Sequence, residues 1–585
     1  MRITNNMILH NAASNINSNK ILVDQGENQM TTQTKIQRPS DDPVVAVRSL
    51  SLQTRLSKIN QYYETNIPDA EEWMNVTETA LNNIIENITD LKKYCVQGST
   101  GTMQQDDRKT ILQQLEALQK SIFAQGNADY AGRTVFTGYR TDKTLVFTDA
   151  DCDKKYNITQ ELSANDFEKV KYFNHNVEVP SNASEVNKLD SSNALTKDDI
   201  TIQDSSYKRL RLGYDNISDV ESLVFSYKNT SGETVSNTFQ FVVQDEKRIP
   251  PLAKADTSGN LTYGSTKQST SRSVKDTAGN TNTINYDYYT VSGSTSGAEP
   301  KTVYVFENEA DWAGWSADKQ GKQTKYVPDD AAVLIKETGD IVFGKGASDD
   351  MSAKETAVSV NYDKNSFSAG ELKPEYYYDC VDNTGVNYSD LDGTVGSRLV
   401  YNRSDISYDI NYTVAVNQTL TVNLQANEIF DSSVQQDMKD LTSVITNTQN
   451  AYEKREKISA LMKDSDYQGS ETQKKLSEWY TAASKEYDYY KDYMQDEFER
   501  VLGNCDTYLN KANLAETTLG CRGDELSMTK TRMDEQQESV TDLKSKNDNL
   551  DLSTIMMNYT AYYTAYQASL VAAGKLGQQS LLNYI

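Results

Sequence analysis

The chain changes its hydrophobic period twice. At both ends apolar residues recur every three or four positions, the spacing of one helical face, whereas the middle alternates with period two, as half-buried strands do. From Leu550 onward the stripe runs Leu552, Ile555/Met556, Tyr559, Tyr562/Tyr563, Tyr566 and Leu570, then Leu581, Leu582 and Ile585. The N-terminal stripe is thinner: Ile3, Met7 and Ile8, then Ala12, Ile16 and Val23 on a surface of Asn, Ser and Gln. A helix with an unfilled apolar stripe needs a partner, so these positions form a predicted assembly interface.

The segment Arg38-Pro39-Ser40-Asp41-Asp42-Pro43 interrupts the first helix. Pro39 and Pro43 break helical hydrogen bonding, Asp41 or Asp42 can cap the next helix, and Pro43 suits its first position. Leu52, Leu56, Ile59, Tyr63, Ala70, Trp73/Met74, Leu81, Ile84/Ile85, Ile88, Leu91 and Cys95 then make a long seam, with Pro68 placed to kink it. A turn at 98–101 and a second helix from Asp106-Asp107 to Gly126-Asn127 predict an antiparallel helical hairpin.

Between about 145 and 430 the predicted elements are strands. Leu223–Tyr227 and Thr238–Val243 flank a Ser231-Gly232 turn; 302–306, 333–335, 341–343, 356–360 and 406–410 are further candidates. Ser, Thr, Gly and Asn dominate 253–300, which reads as a flexible stretch or exposed meander. Helical spacing resumes at Val434, pauses at 464–470, and continues through Ala483, Tyr487, Tyr490, Met494, Phe498, Val501, Cys505, Tyr508, Ala512, Ala515 and Leu519. A continuous helix over 471–547 would be roughly 115 Å long at about 1.5 Å per residue.

The expected fold is a mainly α rod, a long antiparallel coiled-coil bundle from both chain ends, with a large β-rich insertion in the middle: an α+β multidomain chain. Three parts are expected: 1–43 with 548–585, 44–145 with 431–547, and 146–430.

Charge and chemistry narrow the function. Among 585 residues, 59 Lys+Arg against 84 Asp+Glu give a net charge of -25, which disfavours nucleic acid and anionic membranes as partners. No apolar run is long enough to span a bilayer, and no signal-peptide pattern comes after Arg2. Five scattered cysteines form no C-x-x-C, and two histidines cannot supply a His-pair site, so no catalytic residues, cofactor or metal are indicated. Asp149–Asp153 imitates a calcium loop but has Lys154 where Gly is needed and Gln160 where Glu is expected. Asp41 and Asp42 read as cap and turn, and the tyrosine stripes as seam residues.

Three segments resemble the hook-associated protein 3 (FlgL-type) group of the flagellin superfamily: Met1-Arg2-Ile3-Thr4-Asn5-Asn6-Met7-Ile8, the Pro39–Pro43 turn continued by Val44-Val45-Ala46, and Gly132-Arg133-Thr134-Val135-Phe136-Thr137-Gly138-Tyr139-Arg140-Thr141. Gln579–Ile585 resembles the superfamily's end, and Leu519-Gly520-Cys521-Arg522-Gly523-Asp524-Glu525-Leu526 a family turn, with Cys521 where Ala is usual. The match covers about 1–145 and 425–585. The resemblance implies a non-enzymatic structural subunit joining hook to filament, exported without a cleaved signal peptide by the flagellar type III apparatus and located in the extracellular flagellum. Implied partners are other copies of itself, the hook-side junction protein, filament flagellin and a cytosolic export chaperone on the C-terminal helical region, with no nucleic acid and no membrane. Alternatives are a filament flagellin and, in another class, a surface adhesin or glycan-binding protein on a helical stalk.

Overall fold

The computed structural model describes the chain apart from residues 1–4, 101–103, 174–176, 178, 182–185, 187–201, 229–230, 242–264, 276–280, 292–299, 321–324, 385–398, 404–407, 430–431 and 579–585. Helices α1 (Asn5–Thr32), α2 (Pro43–Asn60), α3 (Ile67–Ser99) and α4 (Gln105–Gly126) come first; α5 (Glu309–Gln320) and α6 (Lys345–Ala353) lie among the strands. The chain continues through α7 (Ala426–Ile429), α8 (Ser433–Lys463), α9 (Ser470–Asp548) and α10 (Leu552–Gln578). Long helices from both ends pack together, α1 on α10 and α3 on α9, and the middle of the sequence forms β-rich sheets: a mostly helical α+β fold.

The strands are β1 (Asp129–Tyr130), β2 (Arg133–Thr134), β3 (Tyr156–Ser163), β4 (Glu168–Phe173), β5 (Ile202–Arg211), β6 (Asp219–Lys228), β7 (Thr234–Gln240), β8 (Ser265–Lys275) and β9 (Thr281–Val291). After them come β10 (Thr302–Phe306), β11 (Ala331–Ile335), β12 (Asp340–Phe343), β13 (Ala357–Lys364), β14 (Asp379–Asp382), β15 (Leu399–Tyr401), β16 (Asn411–Ala415) and β17 (Gln418–Thr421).

The chain divides into two compact units. The first comprises 1–74, 411–422 and 520–585. In it the long seam, expected to kink at Pro68, is interrupted just before that residue by a π-helical turn, Gln61–Asn66. Pro68 has no N–H to offer the preceding turn, and the register widens so that Ile67 N–H bonds Tyr62 O instead. Against this turn lies the β16–β17 hairpin: Asn66 Nδ2 donates to Thr413 O at 2.7 Å, and the Tyr412 hydroxyl bonds Asp69. Gln418 Nε2 ties the hairpin to Glu525 and Thr529 of α9 at 3.1 and 3.3 Å. Residues 519–526, expected to turn, lie inside uninterrupted α9. Leu519, Leu526 and Met533 keep the buried seam in phase, and that burial outweighs the helix penalty of Gly520 and Gly523, about 1 kcal/mol each.

The second unit, 75–410 with 423–519, is built on two sheets. A seven-stranded sheet runs β4-β5-β12-β11-β10-β9-β8 and a six-stranded sheet β15-β14-β3-β13-β6-β7. Among the described residues only β10 and β11 pair in parallel within these sheets, because α5 makes the crossover between them. Alternation sends Ala332, Leu334, Ile341 and Phe343 into a core shared with Ile158, Leu223, Phe225, Val358 and Val360 of the other sheet. Val333, Ile335 and Val342 face the opposite way, onto Trp312 and Trp315 of α5. Covered on both faces, β11 is buried along its whole length. Strands β8 and β9, paired antiparallel, fall within the stretch read as flexible or an exposed meander; the rest of 253–300, up to 299, lies outside the described residues. Residues 408–410 are not strand, and β16 starts at Asn411.

A buried ion cluster joins the seven-stranded sheet to α8 and α9. Arg209 and Arg211 of β5 and Arg500 of α9 share Asp440 at 2.8, 2.8 and 3.0 Å and Glu168 at 3.1, 2.8 and 3.0 Å. Arg211 and Arg500 also hold Asp437 at 2.6 and 2.9 Å, and its other oxygen accepts from Asn504 and Tyr508. Burial pushes the Asp437 carboxyl up, but the two guanidiniums and these hydrogen bonds hold it well below the carboxylate range. Asp340, 3.3 Å from Arg209, goes the other way: burial outweighs the arginines and raises it to about 6.

The Gly132–Thr141 segment is a structural knot in the same unit. Gly132 and Gly138 have φ of 77° and 64°, and a Cβ on Gly138 would lie 2.7 Å from that of Tyr408. Arg140 reaches buried Glu375 at 2.6 Å and covers the Tyr401 ring.

Candidate functional site

In the first unit, α1 lies antiparallel on α10, as fixed by Gly26 against the Tyr559 ring and Asn19 Nδ2 donating to Ala565 O at 3.4 Å. The α1 face is formed by half-buried Ile8, Ala12, Ile16, Asn19 and Val23 with buried Gly26; the α10 face is Ile555, Tyr559, Tyr562, Tyr566, Ser569 and Ala573. Small and polar residues thus meet large aromatic ones. A Cβ at Gly26 would stand 3.2 Å from Tyr559 Cδ2, so glycine is what lets the ring lie on the α1 backbone. The α10 positions step 4, 3, 4, 3, 4, a heptad seam. Apolar stripe reading passed over Asn19, Gly26, Ser569 and Ala573; heptad phasing from Ile555 identifies the last two.

The stripe read from sequence is therefore divided between two faces. Ile555, Tyr559, Tyr562, Tyr566, Ile16 and Val23 face within the pair. Leu552, Met556, Tyr563, Leu570 and Met7 are at least two-fifths exposed, as are Leu9, Ile21, Met557 and Val571. The outward face of α10 is a shallow apolar groove lined by Met556, Met557, Thr560, Ala561, Thr564, Ala565 and Ala568. Ile3, Leu581, Leu582 and Ile585 lie outside the described residues.

Both chain segments leaving the pair break at the same level and are joined there. Lys35 N–H donates to Asp548 O at 2.7 Å and Leu550 N–H to Gln33 O at 3.0 Å, with Gln33 at φ 56°. Asn547 Nδ2 reaches Val45 O, and Ser49 Oγ donates to Asp548 Oδ2 at 2.9 Å. Burial raises the Asp548 carboxyl, yet hydrogen bonds from Asn547, Ser49 and Lys544 keep it below its ordinary value. The Pro39–Pro43 turn divides its labour: Asp41 accepts from Gln37 N and Arg38 N at 3.1 and 2.9 Å, closing the loop. Asp42 caps α2 by accepting from Val44 N and Val45 N at 2.9 and 3.2 Å, with Pro43 at the first helical position.

Among the described residues no group of His, Cys, Asp and Glu is placed to hold a metal ion, and no helix is long and apolar enough to cross a membrane.

Residues 3–141 match the family described as the bacterial flagellin N-terminal helical region. The relatives it resembles are named flagellar hook-associated protein 3. The chain is 28% identical over 144 residues to that protein of Salmonella typhimurium (24% of this chain, 45% of the relative) and 28% identical over 115 residues to that of Escherichia coli (20% and 36%). The matched region spans less than half the length of either relative. A solved hook-associated protein 3 from Legionella pneumophila aligns over 85% of this chain and 97% of its own, at 10% identity and a TM-score of 0.26.

Proposed function

We propose that this chain is a structural subunit of the bacterial flagellum that joins hook to filament, assembling through its terminal helices into a helical tube. The observation that supports this best is the outward apolar face of the α1–α10 pair. Methionines and alanines exposed along one helix are costly to leave in water and useful in a lattice of repeating, non-closing contacts. Ile3, Met7, Ile16, Val23, Leu552 to Leu570, Leu581, Leu582 and Ile585 are the proposed interface, some within the pair and some toward neighbouring copies. The working division is 1–43 with 548–585 as the assembling part, 44–145 with 431–547 as the helical support, and 146–430 as the outward variable part. The partners in this reading are further copies, the hook-side junction protein, filament flagellin and an export chaperone on the C-terminal helices. The protein would leave the cell by the flagellar type III route.

Labelled antibody on isolated hook-filament preparations tests the reading: one band at the distal hook end is expected, whereas decoration of whole filaments would make the chain a filament flagellin. A chain cut after Asn547 should fail to complement hooks lacking the native protein. Normal capping and extension by that truncated chain would remove α10 from the mechanism.

A further inference from the structure

Helices α3 and α9 are tied in a fixed antiparallel register within the second unit. Lys92 Nζ meets Asp506 Oδ1 at 2.5 Å, Gln495 Nε2 donates to Ser99 O at 3.3 Å, and Gly98 is pressed so closely onto the Phe498 ring that a Cβ would be 2.5 Å from it. Between these ties each helix buries a cysteine on its seam. Cys95 comes after Ile84, Ile88 and Leu91; Cys505 comes after Met494, Phe498 and Val501; all are essentially excluded from solvent. The ties place both cysteines on the same stretch of buried seam, where the Cys505 thiol is the largest influence on that of Cys95. Both are free.

We propose that Cys95 and Cys505 are a disulfide site, joined when the chain folds in an oxidising medium, so that one covalent bond staples α3 to α9. The bond needs Cβ atoms roughly 3.5–4.5 Å apart, a separation that closing of the α3–α9 seam would have to reach. In the reaction one cysteine thiolate attacks a low-molecular-weight disulfide such as oxidised glutathione and releases the first glutathione thiol. The second cysteine then attacks the protein sulfur of the mixed disulfide and releases the other glutathione. Two protein thiols are oxidised and one glutathione disulfide is reduced to two thiols, so electrons and protons balance.

The same packing fixes when this happens. The neighbouring Cys505 thiol and burial push the Cys95 thiol far above its usual range, and both thiols are shut off from a dissolved oxidant in the finished fold. Oxidation therefore belongs to folding or to opening of the seam. The remaining cysteines are elsewhere: Cys380 in the core between the sheets, Cys152 half-buried and Cys521 exposed on α9.

The test is to refold the full chain from denaturant in a buffer of oxidised and reduced glutathione, digest it without reduction, and map the linked peptides. The proposal expects one dominant Cys95–Cys505 peptide pair, formed roughly tenfold or more slowly when the folded protein is placed in the same buffer. In Cys505→Ser, Cys95 should be recovered unlinked, while Cys152→Ser and Cys521→Ser should leave the pair intact. Recovery of Cys95 and Cys505 as free thiols after refolding, or linked chiefly to other cysteines, overturns it. The wild-type map decides even if a variant folds poorly, and its outcome is independent of where in the flagellum the chain assembles.

Discussion

The α1–α10 pair and the sheet region solve opposite problems. In the sheet region large side chains vanish: Trp312, Trp315, Tyr156, Tyr362 and Phe343 are almost wholly buried, and even a cluster of charges is enclosed and cross-bonded. In the first unit, Met7, Ile21, Val44, Val47, Leu50, Met556, Met557 and Val571 are all more than half exposed. The sheet region encloses its largest side chains. The first unit keeps a row of exposed apolar side chains along its helices, which is what the assembly interface proposed above calls for.

The largest effect should come from opening the enclosed charges. Asp437→Ala leaves Arg211 and Arg500 without their closest shared carboxylate and should cost about 3–5 kcal/mol, the usual loss when one member of a buried pair is removed. Urea unfolding monitored by tryptophan fluorescence is the measurement. The four tryptophans, Trp73, Trp312, Trp315 and Trp479, all lie outside α1 and α10. Undoing the pair should therefore be nearly silent in fluorescence and visible in far-ultraviolet circular dichroism; coincident transitions would erase the contrast between the regions.

Acid and base act on the same cluster in opposite senses. Asp340, raised to about 6 from an ordinary 3.8, contributes stability that is complete below about pH 4 and is lost as pH rises through 6. The amount is roughly 3 kcal/mol at about 1.4 kcal/mol per pKa unit. Asp437 and Asp440 are lowered by their arginines against the pull of burial, so their contribution is present above the ordinary carboxylate value and lost as pH falls below it. Thermal melts should show wild type declining between about pH 4 and 6 and Asp340→Asn flat across that window. An equal decline in both would mean that Asp340 does not titrate there.

Substitutions inside the terminal pair should be milder in the free chain. Tyr559→Ala removes a half-buried ring from Gly26 and should cost the free chain about 1 kcal/mol, below the 3–5 kcal/mol of a fully buried aromatic. Amide exchange of α1 and α10 would accelerate while the sheets stay protected. Assembly onto hooks should suffer more than folding does; a chain that exchanges normally and assembles normally would show that this seam is not used.

How much of this is legible in the sequence depends on whether the deciding interaction is local. The long helices and the alternating strands come from period alone, as β10, named from Thr302 to Phe306, and α9, read as 471–547 and folded as Ser470–Asp548, both show. The π turn at 61–66 was not legible: Pro68 announces a fault but not whether the helix kinks or widens. Gly520 and Gly523 signal a break that burial on both sides overrides. In the terminal pair the stripe was visible, but its division into an inner face at Ile555 and Tyr559 and an outer one at Met556 and Tyr563 depends on which neighbour α1 presents. The ion cluster draws on β4, β5, β12, α8 and α9, far apart in sequence, and no spacing rule connects them.

The smallest effect tests the turn between the α1–α10 pair and α2, within the first unit. Asp42 accepts from Val44 N and Val45 N, groups that α2 cannot satisfy itself, so Asp42→Ala should cost about 1 kcal/mol. Asp41 holds Gln37 N and Arg38 N on the other side of the turn, and Asp41→Ala should loosen the loop without unwinding α2. The two variants thus separate helix start from loop closure. Amide exchange at Val44 and Val45 should rise only in Asp42→Ala, and at Gln37 and Arg38 only in Asp41→Ala. If either variant exposes both sets, the turn is one cooperative element, and the break between the α1–α10 pair and α2 is stiffer than two independent caps would make it.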